Sequence, residues 1–382
     1  MAPDWSQLPA ELLEIISTKI IFITDYLRFR AVCTSWRSAS PARPRHLPPQ
    51  LPWLLLPYDP SPDNADPRRL FFDLRDRRIH QLDLPETRGK RLRGSSHGWL
   101  VLERHVAISL LNPVTRAHIQ LPPLNTSPKF LYFLLSGKAH FIPAPDAGEM
   151  LELCSIKNVT LSSNPALNSD CIVMAVLQME GILAFCRIRD ESWTIVWDSY
   201  FFFDDKNIDV TYHNGRFYAV TAHGQVTVYD VNSPQRIVLP SKLQYSWDQK
   251  YLVDQSAQEL LMVEWNFKSR SANGGTKYDV FKLDVDGRPK LLKVEDIGNS
   301  MLFLGGTNRC FCLSAVNFDG WRGNFIYHTV PYFLQRYEDG DLVSHAVNSF
   351  SLEDDCTMQI ACNLGVSLLH WSPPMWVTPS LF

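Results

Sequence analysis

The chain has 382 residues, 45% of them apolar and 20% charged, with a formal net charge of −3. That balance belongs to a globular protein with a sizeable core, and it excludes a chain-wide electrostatic preference for nucleic acid or an anionic membrane. Aromatics reach 12% and 26 prolines are spread along the chain, a mixture suited to short strands and frequent turns more than to long helices. Met1–Ser6 carries no basic segment leading into an apolar core. Apolar runs such as Ile20–Ile23 and Phe130–Leu135 fall far short of the roughly 20 residues that a membrane span needs. These features predict an intracellular protein of the cytoplasm or nucleus, with no membrane and no nucleic acid among its partners.

The eight cysteines (Cys33, Cys154, Cys171, Cys186, Cys310, Cys312, Cys356, Cys362) are scattered, with no pair at zinc-finger spacing. They read as reduced thiols packed as small hydrophobes. Basic residues between Arg68 and Arg93 alternate with Asp73, Asp76 and Asp83, the pattern of a solvated mixed-charge surface rather than a nucleic-acid patch.

Helical periodicity is sustained only over residues 4–40. Leu8-Pro9 places a proline at a helix start, where its missing N–H costs nothing, and Glu11 puts an acid in the first turn. Leu12, Ile15, Ile16 and Ile20 follow at i, i+3, i+4 and i+8, one apolar face. Thr24-Asp25 reads as the N-cap of a second helix, with Phe29, Val32, Cys33 and Trp36 on a single stripe. Pro41, Pro44, Pro48, Pro49 and Pro52 end the helices and predict a stiff, extended linker. A module of about forty residues is too small to fold by itself. Its helices either cap the following domain or form a hairpin that binds a partner.

Trp5-Ser6-x-Leu8-Pro9-x-Glu11-Leu12-Leu13 and Asp25-x-x-Arg28-Phe29-Arg30-x-Val32-Cys33-x-x-Trp36-Arg37 resemble an F-box, which would span residues 4–46. The resemblance implies that Leu8, Pro9, Leu12, Leu13 and Ile16 contact the adaptor subunit leading to a cullin scaffold. It also implies that Val32, Cys33 and Trp36 support that surface. Thr18–Thr24 departs from the family's pattern.

After a proline-rich linker at 47–52, the periodicity changes at residue 53 to short strands. One unit recurs: an apolar strand, a turn with Asp, Asn or Pro and a basic residue, then a strand ending in Leu-Pro. Its copies are Phe71–Pro85, Leu110–Pro122 and Val228–Pro240, with weaker ones at Ala184–Val196 and Val280–Val294. Each reads as the outer hairpin of a four-stranded blade. Further strands precede the copies, and Asn214-Gly215 between two of them is a strong hairpin signal. The units recur roughly every 40–50 residues, which is propeller spacing. About six begin near residues 53, 94, 151, 207, 248 and 300, with room for a seventh, degenerate blade in 122–170. A pair of β-sandwiches is the competing architecture, but about twenty short strands in similar units favour radial repetition. The expected fold is mainly β with a small α N-terminal module: F-box helices, then a single β-propeller over 53–382.

Gly94-Ser95-Ser96-His97-Gly98-Trp99-Leu100, Leu110-Leu111-Asn112-Pro113, Tyr212-His213-Asn214-Gly215 and Met301-Leu302-Phe303-Leu304-Gly305 are similar to a large family of plant F-box proteins with a kink-suppressor-type β-propeller. What that family implies is recruitment of a protein target for ubiquitination.

Enzyme signatures do not gather. Gly94-Ser95-Ser96-His97-Gly98 satisfies G-x-S-x-G, but a nucleophile elbow needs a helix after it, and Trp99–Leu102 reads as a strand. No His-x-x-x-His pair with a carboxylate stands at metal spacing, and Cys310-x-Cys312 in a strand-like run reads as structural. Gly274-Gly275 and Gly305-Gly306 lack the Lys-Ser/Thr of a phosphate loop. We expect no catalytic residue, no cofactor and no metal. The resemblance implies a non-catalytic, substrate-recognition subunit of an SCF-type cullin-RING ubiquitin ligase. Its partners would be the adaptor, a cullin through it, and an unidentified protein target. An adaptor-binding scaffold acting outside ubiquitination and a non-catalytic ligand-binding propeller are the alternatives. Residues 123–170 and Lys268–Thr276 are the candidate target-binding loops.

Overall fold

The computed structural model describes residues 4–127, 155–178, 181–196, 207–233, 236–239, 249–256, 259–270, 273, 276–284, 290–305, 310–329, 342–362, 364–368 and 371–382. Each strong copy of the repeated unit folds as the outer hairpin of one sheet, and the reason is local. Where the first strand ends, an Asp or Asn turns its carbonyl oxygen back on the chain. The Asp73 carboxylate accepts the Arg75 N–H at 2.8 Å, Asn112 accepts from Val114 and Thr115 at 2.9 and 3.0 Å, and Asp230 accepts from Asn232 at 2.9 Å. These side-chain turns replace the backbone partner that a reversing chain loses. Arg77 and Arg116 complete two of them with φ of 55° and 61°.

Six blades result, closed in a ring. Blade 2 runs from the axis outward as Arg91–Ser96, Trp99–Arg104, Ala107–Leu111 and His118–Gln120. Blade 3 spans Ile156–Leu161 to Thr194–Val196, blade 4 Asn207–His213 to Arg236–Leu239, and blade 5 Lys250–Ser256 to Lys290–Val294. Blade 1 is built from both ends of the propeller: Met375–Val377 pairs antiparallel with Trp53–Leu55, ahead of Arg68–Asp73 and Arg78–Asp83. Blade 6 has five strands, because Phe311–Ser314 folds back inside Ser300–Leu304 and the chain then returns parallel to it as Phe325–Thr329. Leu342–Ser344 pairs only with Val366–Leu368, and no seventh blade forms among the described residues.

Buried polar groups fasten blade to blade. Asp209, on the inner strand of blade 4, accepts the Val210 N–H at 2.8 Å and the Leu252 N–H of blade 5 at 2.7 Å, and also the Asn158 side-chain amide of blade 3. Glu103 of blade 2 accepts the Ile156 N–H of blade 3 at 3.0 Å. The Trp193 indole donates to the Pro122 carbonyl at 2.6 Å, and that of Trp376 to Leu304 at 3.1 Å, tying blade 1 to blade 6. Each bond satisfies a group that would cost about 1–3 kcal/mol if buried alone.

The first forty residues form α1 (Ala10–Lys19), α2 (Ile23–Ala31) and α3 (Thr34–Ser38). Thr24 and Asp25 lie inside the first turn of α2 and do not cap it. The cap comes from a distance: the Gln50 carbonyl oxygen accepts the Ile23 N–H at 3.0 Å, while its amide donates to Ile21 and Pro48 at 2.9 and 2.7 Å. The stripe Phe29–Trp36 is not one helix either. Cys33 is extended (φ −161°, ψ 178°) and breaks it, so Phe29 turns inward while Val32 is exposed.

The proline-rich stretch does more than space two bodies. Leu51 is buried, and Leu47 packs with Ile23 and Tyr26 against Trp53, Phe71, Val377 and Leu381 of the propeller. The Arg75 guanidinium donates to Thr24 Oγ1 at 3.2 Å and lies 4.0 Å from the Phe22 ring centre. The helices therefore sit on the propeller face that carries the tight turn His97-Gly98, where φ is 52° and 84°.

His328 of blade 6 is fully enclosed against Tyr278, ring centres 5.0 Å apart, and neither ring nitrogen has a hydrogen-bond partner among the described residues. Burial pushes its pKa down to about 4. A histidine held neutral in the fold but free to charge when unfolded gives full stability above its ordinary value near 6.5, lost as pH falls toward 4. Urea unfolding of wild type should therefore weaken between pH 6.5 and 4.5 by about 2–3 kcal/mol more than that of His328→Phe. Parallel pH curves for the two proteins would refute this.

Candidate partner-binding surfaces

α1 carries apolar side chains on two faces. Leu13 is 1% exposed and packs on Phe29 and Ala39 with Leu8, Ile20 and Trp36 at the edge. Leu12, one residue earlier, is 47% exposed, and Ile15 and Ile16 stand beside it in solvent. Periodicity alone takes Leu12, Ile15, Ile16 and Ile20 for one face, but the module's core uses Leu13 and Ile20, which point about 100° around the helix from Leu12, Ile15 and Ile16. A short helix that buries one apolar face and leaves another open is incomplete by itself.

The structure distributes the eight expected contacts as follows. Pro9, Leu12, Ile16 and Val32 are exposed, Leu8, Cys33 and Trp36 are half-buried, and Leu13 belongs to the module's own core. Trp36 anchors the segment before α1, donating its indole N–H to the Trp5 carbonyl at 3.0 Å, with its ring 4.6 Å from that of Phe29. Trp5, Ile15, Ile21 and Phe22 are further exposed apolar residues outside that set of eight. Ile15 was legible from its i+3 spacing to Leu12, whereas Ile21 and Phe22 follow the helix and have no periodic signal.

On the propeller, a cavity of about 510 Å³ opens beneath the helices, between the turn Ser95–Gly98, Phe311–Leu313 and Thr378–Phe382. The G-x-S-x-G serines line it but serve the fold. Ser95 donates to the Trp376 carbonyl of blade 1, and Ser96 Oγ accepts the Leu161 N–H of blade 3 at 3.1 Å. Neither is presented to an incoming substrate by a strand–helix elbow, since both flanking segments are strands. Asp73, Asp76 and His80 converge, but their atoms are engaged. Asp73 takes the Trp53 indole at 3.2 Å and lies 3.7 Å from Arg75, and His80 lies 3.1 Å from Asp76. Burial pushes the thiols of Cys171, Cys186 and Cys312 up, as suits inert packing groups. No helix among the described residues is long and apolar enough to cross a membrane. Of the candidate target loops, residues 128–154, 271–272 and 274–275 lie outside the described residues.

Comparison with known proteins agrees with both halves of this architecture. The F-box domain model matches residues 5–46, and the KIB1-4 β-propeller model matches residues 71–355. F-box protein SKIP23 of Arabidopsis thaliana is 27% identical, the alignment covering 98% of this chain and 96% of the relative. F-box protein At2g17036 of the same plant is 27% identical over 99% of this chain and 95% of its own length. With the propeller match covering well over half of its length, the chain belongs to the KIB1-4 β-propeller family, as a plant F-box protein with its F-box helices docked on a six-bladed ring.

Proposed function

We propose that this protein is the substrate receptor of an SCF-type ubiquitin ligase. The outer face of α1 docks a SKP1-type adaptor and, through it, a cullin, while the propeller holds a protein target. One observation carries the reading: seven of the fifteen large apolar side chains exposed among the described residues lie between Trp5 and Val32. Scattered single exposures are ordinary, but such a concentration on one small module marks a surface awaiting a partner.

In this reading the chain performs no bond chemistry. It contributes effective concentration, holding the target beside a ubiquitin carrier bound at the far end of the complex. The contacts between the F-box and blade 1, through Gln50, Arg75 and Tyr26, support a fixed orientation of target relative to adaptor.

The test is reconstitution. The full chain, adaptor, cullin–RING module and charged carrier should transfer ubiquitin to proteins retained by the propeller, and Leu12→Asp should abolish transfer. A complex that assembles fully yet transfers nothing to any retained protein would point instead to a scaffold acting outside ubiquitination.

A further inference from the structure

Between the F-box and blade 6 runs a groove of about 210 Å³. One wall is the connection from α1 to α2, with Ile21 and Phe22 exposed; the other is the segment leaving the innermost strand of blade 6. There Val316 is 72% exposed, the most open large apolar side chain among the described residues. Both walls are held in place. Arg75 lies against the Phe22 ring at 4.0 Å and bonds Thr24, while Trp321 on the opposite side leans on Tyr327, ring centres 5.2 Å apart.

Ile21 and Phe22 on one wall and Val316, beside Asn317 and Asp319, on the other are held apart and do not close on each other, so their apolar area stays wet until something fills the space. The F-box wall is also the direct continuation of the outer face of α1: Ile15 and Ile16 lie in its last turns, and Ile21 and Phe22 follow its end. A partner seated on Leu12, Ile15 and Ile16 that extends along the helix enters this groove next.

We propose that the SKP1-type adaptor fills the groove, so that Val316 of the propeller forms part of the interface with the F-box. The inference rests on the receptor reading above and adds a second contributor to its interface. It also gives a role to Thr18–Thr24, the stretch that departs from the F-box pattern, since that stretch supplies the groove's near wall.

The test titrates a purified SKP1-type adaptor into the full chain. Val316→Glu should weaken binding about tenfold, the scale of one buried side chain near an interface edge. Met358→Glu, at an exposed apolar position on the outer strand of blade 6, should leave it unchanged, and all variants should keep the wild-type unfolding midpoint. Leu12→Asp serves as the F-box control. If Leu12→Asp abolishes binding and Val316→Glu binds as wild type, the groove proposal is overturned and the receptor reading stands. If the wild-type chain binds no adaptor, both fall. If Val316→Glu spares adaptor binding but converts a dimer to a monomer on a sizing column with light scattering, the occupant is a second copy and the proposal is equally overturned.

Discussion

Asp209→Ala is expected to lower the unfolding free energy by about 4 kcal/mol, the scale of breaking a buried charged network. One carboxylate accepts three donors from three consecutive blades, and all three sites are enclosed. Removing it leaves two backbone N–H groups and one side-chain amide without that partner, each costing on the order of 1 kcal/mol or more, and a small void besides. Asp209→Asn keeps one oxygen but turns an N–H₂ toward a donor, so it should lose roughly half as much. Urea unfolding at constant pH reads both, with an unchanged slope showing that the same surface is exposed. A loss below about 1 kcal/mol for the alanine variant would mean that blade registry rests on packing alone.

The second large effect separates two neighbouring leucines. Leu13→Ala should destabilise the helical module by about 3 kcal/mol, because it empties a buried site between Phe29 and Ala39. Leu12→Ala should change stability by no more than about 0.5 kcal/mol, its side chain being in solvent. For adaptor affinity the order reverses in origin: Leu12→Ala should cost about 2 kcal/mol, roughly 30-fold, with the fold intact. Thermal unfolding beside an adaptor titration distinguishes loss of contact from loss of structure. Equal destabilisation by the two variants would contradict the assignment of faces on α1.

Much of this was legible in the sequence, for physical reasons that differ by element. The outer hairpins announce themselves because strand, Asx turn and return strand are all local, as in Asn112 and Asp230 with their own downstream N–H groups. With the strands ahead of its copies, that repeat gives the starts of blades 1 to 5, and the 40–50-residue spacing gives that of blade 6. Three features depend on partners far along the chain and left no local mark. Gln50 caps α2 from 27 residues away. Met375–Val377 closes blade 1 across the ring, and blade 6 returns in parallel because Phe311–Ser314 folds back toward the axis. On the candidate surface, spacing put Leu12, Ile15, Ile16 and Ile20 on one face, of which the first three are exposed, yet it could not tell an inner from an outer face on a helix apolar around most of its girth. Leu13 entered the expected contacts through the F-box resemblance, and its side chain is buried in the module's own core. Ile21, Phe22 and Val316 had no signal at all, since their proximity depends on how the helices sit on the propeller.

Calorimetric titration of a purified SKP1-type adaptor into the full chain is the decisive measurement on the proposed adaptor-binding face of the F-box. A one-to-one complex is expected, weakened at least about tenfold by Leu12→Ala/Ile16→Ala, two exposed positions of α1, without a shift in the unfolding midpoint. A folded wild-type chain that takes up no adaptor would contradict that expectation.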